Sequence, residues 1–64
     1  MKILLDKVMR SKNLTVRQVA YVTGIPKSTI HDIINGKIPR MDTMERLAAG
    51  LKVRISDLYD SELK

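Results

Sequence analysis

The chain has 64 residues, of which 44% are hydrophobic and 30% charged, with a formal net charge of +5 and no cysteine. A chain this short hides only about 60% of its unfolded surface, and it leaves little volume for a substrate pocket of ~300 Å³ or more; both weigh against an enzyme. The missing cysteines exclude a disulfide framework and a thiolate metal site, and no apolar run approaches the ~20 residues that span a bilayer.

The start of the chain, Met1-Lys2-Ile3-Leu4-Leu5-Asp6, meets a charge too early for the apolar core of a signal peptide. One cytoplasmic domain over residues 1–64 is therefore expected. Charge is divided unevenly. Residues 1–40 hold eight Lys or Arg against Asp6 and Asp32, a net +6, whereas residues 41–64 hold four against five Asp or Glu, a net −1. A basic segment suits a polyanion, because Lys and Arg release the counterions condensed on phosphates; it also suits a merely solvated surface.

In chain order, Leu4, Leu5, Val8 and Met9 make one stripe of a first helix over about 2–12. Asn13 follows a basic last turn and tolerates the left-handed backbone that ends helices. Leu14-Thr15-Val16-Arg17-Gln18-Val19 is a helix-start signal. Thr15 caps, Gln18 returns the bond, and Leu14 packs on Val19 as a hydrophobic staple. The second helix runs to Val22 or Thr23, and the small Ala20 lets another helix cross close by.

Gly24 supplies a positive φ for a sharp exit, and Pro26 has φ preset for the opening of the next helix. Lys27 to Asn35 form the third helix, with Ile30, Ile33 and Ile34 on one face. Ser28, Asp32 and Asn35 lie opposite, with Lys27 and His31 on the flanks. Asn35-Gly36 is a stop. After the Ile38-Pro39-Arg40 loop, Met41, Met44, Leu47, Ala48 and Leu51 define a fourth helix over 41–51. Gly50 inside it costs ~1 kcal/mol relative to Ala. Val53 and Ile55 bracket a turn, and Ser56 caps a fifth helix over 57–60. Leu58 and Tyr59 close the core, and Ser61 to Lys64 fray. Met1, Met9, Met41 and Met44 read as core filler, and Tyr21 and Tyr59 as packed rings with their hydroxyls outward. No strand alternation is evident, so the class is all-α with five short helices.

The Thr15–Gly36 stretch resembles the helix-turn-helix of the phage Cro/CI repressor family, also called the XRE type. Counted from Val16, the family places aliphatic residues fourth, tenth, fifteenth and eighteenth, a small residue fifth and Gly ninth. Val19, Ile25, Ile30, Ile33, Ala20 and Gly24 match all six. Asn35-Gly36-Lys37, Pro39 and Leu47-Ala48-x-x-Leu51-x-Val53 extend the likeness over roughly residues 3–60. The resemblance implies a compact five-helix bundle of the lambda-repressor-like type, with its helix-turn-helix at about 16–35. It further implies sequence-specific binding of double-stranded DNA by a transcriptional regulator or repressor, as a homodimer on a pseudo-palindromic site, with the third helix in the major groove.

Carried over by position, the base-reading residues fall on Lys27, Ser28 and Asp32, and the backbone contacts on Thr15, Asn35, Lys37 and Arg40. Arg17 and the flanking His31 join the backbone set on charge and placement. Four departures from the family stand out. Val16 replaces a frequent phosphate-touching Gln and packs at the core edge. Pro26 replaces a frequent Ser or Thr. Asp32 is acidic at a reading position, where it repels phosphate but can accept from cytosine N4. Lys52 replaces a frequent Gly, which implies either a strained residue or a different turn.

Rival readings remain for single residues. Lys27, Arg17 and His31 also suit plain solvent exposure, and Asp32 also suits an ion pair with Lys27 or Arg17. His31, the lone histidine, has neither metal partners nor a nucleophile arrangement. Two Tyr without Phe or Trp argue against a stacking surface for single strands. No cofactor, metal or small-molecule ligand is expected. The alternative to DNA binding is a protein-interaction module, antitoxin-like or anti-regulator, which Val16, Pro26 and Asp32 would favour.

Overall fold

Leu4 does not enter the first helix. Its amide donates to the Leu58 carbonyl at 2.8 Å, which draws the two ends of the chain into an antiparallel ribbon. In the computed structural model, which describes residues 2–62, β1 (Lys2–Ile3) pairs with β2 (Tyr59–Asp60), with Lys2 opposite Asp60 and Ile3 opposite Tyr59. The expected helix over 2–12 is therefore shortened to α1 (Leu5–Ser11). Local apolar spacing favoured a helix through Ile3, but the pairing of distant backbone groups wins there.

The chain continues through α2 (Val16–Thr23), α3 (Lys27–Ile34), α4 (Met41–Leu51) and a 3-10 turn (Ile55–Asp57) before β2. The described residues thus form four α-helices and not five. The expected helix over 57–60 is replaced by the 3-10 turn and β2. Ser56 lies within the 3-10 turn, and Arg54 is the residue that flanks its start. The Arg54 amide donates to Asp57 Oδ2 at 3.0 Å, and the Asp57 amide returns a bond to the Arg54 carbonyl at 3.0 Å. Ser61 is half-buried against the expectation of fraying, while Met1, Leu63 and Lys64 lie outside the described residues.

A single core joins Leu5 and Met9 of α1, Val19 of α2, Ile25, Ile30 and Ile33 around α3, Met44, Leu47, Ala48 and Leu51 of α4, and Leu58. Ile3, Leu14, Val16, Ala20, Val53, Ile55 and Tyr59 pack against it. The expected interior stripes are borne out except at their edges. Ile34 is 37% exposed, Met41 is 64% exposed and Tyr21 is 88% exposed. Helical phase alone thus assigns Ile34 and Met41 too much burial, and the Tyr21 ring, expected to pack with its hydroxyl outward, stands in solvent.

Helix ends are closed by backbone geometry. Asn13 (φ 54°) and Lys52 (φ 58°) both adopt the left-handed conformation. After each, an amide reaches back across the last turn, from Leu14 to the Met9 carbonyl at 2.9 Å and from Val53 to the Ala48 carbonyl at 3.0 Å. These bonds satisfy carbonyls the helix leaves open. Of the two readings open for Lys52, the strained residue is therefore the one found. Gly50 has a different role. A Cβ there would stand 2.8 Å from the Val22 carbonyl oxygen and 2.7 Å from Thr23 Cγ2. The bare α-carbon is what lets the end of α2 lie on α4.

Candidate nucleic-acid interface

The interface is assembled from the start of α2 onwards. Thr15 has extended backbone, its Oγ1 accepts from the Gln18 amide at 3.2 Å, and its own amide donates to Gln18 Oε1 at 2.8 Å. This is the expected capping box. It fixes the direction of the first turn and sets Arg17 on the exposed side. At the other end, Gly24 turns the chain with φ 72°, and its amide donates to the Ala20 carbonyl at 2.9 Å.

Thr23 completes the turn, which its sequence did not announce. Its hydroxyl donates to the Val19 carbonyl at 2.6 Å and accepts from the Ile25 amide at 3.2 Å. One side chain thus spans the junction between the helices, and Ile25 drops into the core as the anchor beyond it. Pro26 stands one residue before α3, with φ −57° and ψ 144°. It sits in the flanking position and not in the first turn. Its carbonyl accepts from Thr29 and Ile30 at 3.1 and 3.2 Å.

With Ile30 and Ile33 held inside and Thr29 half-buried, α3 directs most of its remaining surface outward. Lys27, Ser28, His31, Asp32 and Asn35 are all exposed, and their steps of one, three and four residues make one continuous polar stripe. Asp32 forms no ion pair with Lys27 or Arg17 among the described residues, so its carboxylate is open to a ligand. Thr15 and Arg17 belong to the neighbouring helix, and no hydrogen bond or ion pair among the described residues joins their side chains to the stripe. Asn35 ends α3, its amide bound to the His31 carbonyl at 2.9 Å.

Beyond it, Gly36 (φ 111°) lets the Lys37 amide return to the Asp32 carbonyl at 2.9 Å. Lys37 is thereby fastened at the carboxyl end of the outward stripe. Lys37 and Arg40 then meet in one cleft of about 140 Å³, whose wall includes Thr29 and Thr43. Sequence reasoning named both cations but missed what holds one of them. Arg40 Nε lies 3.5 Å from Asp42 Oδ1, and the same oxygen accepts from the Thr43 amide at 2.9 Å. The available signal was an acidic residue in the first turn of a helix, two positions after an arginine.

Two helices crossing at a glycine turn, the second with an apolar inner face and a polar outer one, define a helix-turn-helix unit built to present α3 to a duplex. The chain belongs to the family of Cro/C1-type HTH DNA-binding domains, whose sequence profile matches residues 4–63. Two proteins of Bacillus subtilis (strain 168) are similar to it. An uncharacterized HTH-type transcriptional regulator, RghRB, is 43% identical over 56 residues, covering 84% of this chain and 40% of that protein. An SPbeta prophage-derived uncharacterized HTH-type transcriptional regulator, YopS, is 28% identical over 65 residues, covering 95% of this chain and 85% of that protein. The chain thus matches less than half the length of the first relative. No solved structure matches it. No helix among the described residues is long and apolar enough to cross a membrane.

Proposed function

We propose that the protein is a cytoplasmic, sequence-specific regulator of transcription that represses by occupying duplex DNA, and that it is not an enzyme. The observation that carries this reading is the outward stripe of α3, which leaves five polar side chains exposed above a fully apolar inner face. Lys27, Ser28 and Asp32 are the base readers. Lys27 donates to guanine O6 or N7, Asp32 accepts from cytosine N4, and Ser28 serves either role. Thr15, Arg17, His31, Asn35, Lys37 and Arg40 contact phosphates and set the register, which carries no sequence information directly. The names of the two Bacillus subtilis relatives support regulation of transcription as the outcome.

The reading extends to a homodimer on a pseudo-palindromic site, with the two α3 helices in major grooves ~34 Å apart. Exposed Ile34, Ile38 and Met41 support it. They border two adjoining clefts that share Ile3, and an exposed apolar patch of this kind marks an association surface.

The test is an anisotropy titration with duplex from the protein's own promoter region, followed by selection of bound DNA from a random library. Affinity is expected to fall with salt by ~0.9 log unit per log unit for each phosphate neutralised, and the selected sequence is expected to be two-fold symmetric. A folded protein that binds no duplex at about 50 mM salt, or one that captures a stoichiometric protein partner through a face insensitive to Lys37→Ala and Arg40→Ala, refutes it.

A further inference from the structure

Arg40 is the last cation before the charge balance of the chain reverses, and it is not free. Its guanidinium Nε is 3.5 Å from Asp42 Oδ1. That oxygen also accepts from the Thr43 amide at 2.9 Å, which holds the carboxylate against the first turn of α4. α4 has no side-chain cap from Arg40, its flanking residue. Asp42 therefore supplies the negative charge that the positive end of the helix favours. Arg40 also lines the cleft shared with Lys37, Thr29 and Thr43. An anion entering that cleft meets Lys37, which has no ion-pair partner among the described residues, and Arg40, which already has one in Asp42.

We propose that Asp42 is an affinity-setting residue. Its carboxylate stands in for a DNA phosphate at Arg40, so the chain grips the duplex backbone less tightly than its cations alone would allow. The inference rests on the reading of this surface as a DNA interface. Both partners of the pair are largely exposed, so the pair itself adds little to folding and its consequence falls on the ligand. For Arg40 to donate to a phosphate it must leave Asp42 or bring that phosphate up against a fixed negative charge. Either way the contact is weakened, and the weakening is electrostatic, hence dependent on salt. The carboxylate acts here through Arg40 and does not itself touch the duplex.

Asp42→Asn isolates the effect. The amide oxygen can still accept from the Thr43 amide, so that hydrogen bond at the helix start is retained while the charge, with its small favourable interaction with the helix end, is removed. Binding to duplex DNA is expected to tighten by about threefold to tenfold near 0.1 M salt, the range for loss of one close charge interaction in water. The salt slope is expected to steepen by about one phosphate equivalent, ~0.9. Two companions keep the result specific. Asp60→Asn makes the same change in net charge on the exposed end of the ribbon and is expected to move affinity far less. In an Arg40→Ala background, Asp42→Asn is expected to gain little.

Equal tightening by Asp60→Asn, an undiminished gain without Arg40, or an unchanged salt slope each overturn the proposal. If the unaltered chain binds DNA and loses affinity on Lys37→Ala while Asp42→Asn changes nothing, this inference fails and the DNA reading stands. If no variant binds any duplex, both fail.

Discussion

Replacing Gly50 by Ala is expected to destabilise the fold, although Ala is the better helix former. In an unobstructed helix the change would gain ~0.8–1.0 kcal/mol. Here the new methyl carbon would lie 2.7 Å from Thr23 Cγ2, 2.8 Å from the Val22 carbonyl oxygen and 3.0 Å from Thr23 Cα. Carbon atoms in contact prefer about 3.5–4.0 Å, so α2 and α4 must separate by several tenths of an ångström or more. Two of the three obstacles are backbone, and the third belongs to Thr23, whose hydroxyl is pinned to the Val19 carbonyl at 2.6 Å. Relief by a rotamer change would break the bonds that shape the turn. Overpacking of this kind costs ~1–3 kcal/mol, and with little freedom to yield we take the upper half of that range. The net loss is then about 1–2 kcal/mol, which for a domain of this size lowers Tm by roughly 5–15 °C. Thermal unfolding followed by circular dichroism measures it. A variant as stable as the original, or more stable, would mean that α2 and α4 are not in close contact at Gly50.

Lys52→Gly, two residues on, is expected to act in the opposite direction. A side chain in the left-handed region costs ~1–2 kcal/mol, Gly gives back ~0.4–1 through its unfolded-state freedom, and a net gain of ~0.5–1 kcal/mol should appear as a higher urea midpoint with unchanged slope. Gly24→Val imposes that strain at φ 72° on a β-branched residue, and a melt unchanged by it would place the turn elsewhere. Lys37→Ala should weaken binding about equally on all duplexes and lower the salt slope by ~1. Ser28→Ala and Asp32→Ala should instead alter which bases are recovered from a random library, each mismatch being worth ~1–3 kcal/mol; a uniform loss would remove them from the set of readers.

What the chain made legible beforehand follows from which interactions are local. The capping box at Thr15 and Gln18, the positive φ of Gly24 and the burial of Val19, Ile30 and Ile33 each follow from residues a turn or two apart, and each is found, whereas Ile25 is marked only by the family resemblance. The ribbon was not legible, because Leu4 and Leu58 are distant in sequence and each strand is only two residues long. No alternation of apolar and polar residues can register over so short a run. Gly50 was read as a propensity cost because its reason lies on another helix.

The candidate interface divides along the same line. Helical phase placed Ser28, Asp32 and Asn35 outward before any contact was known, since direction around a helix is a local property. The strength of a backbone contact is not. It depends on what else each cation touches, and for Arg40 that partner is a carboxylate held by the amide of the next helix. A tally of positive charge over residues 1–40 counts Arg40 in full and stops two residues short of Asp42. On the proposed reading of this surface, charge bookkeeping along the chain therefore overstates its grip on DNA, and the pairing of Arg40 with Asp42 is where the excess would lie.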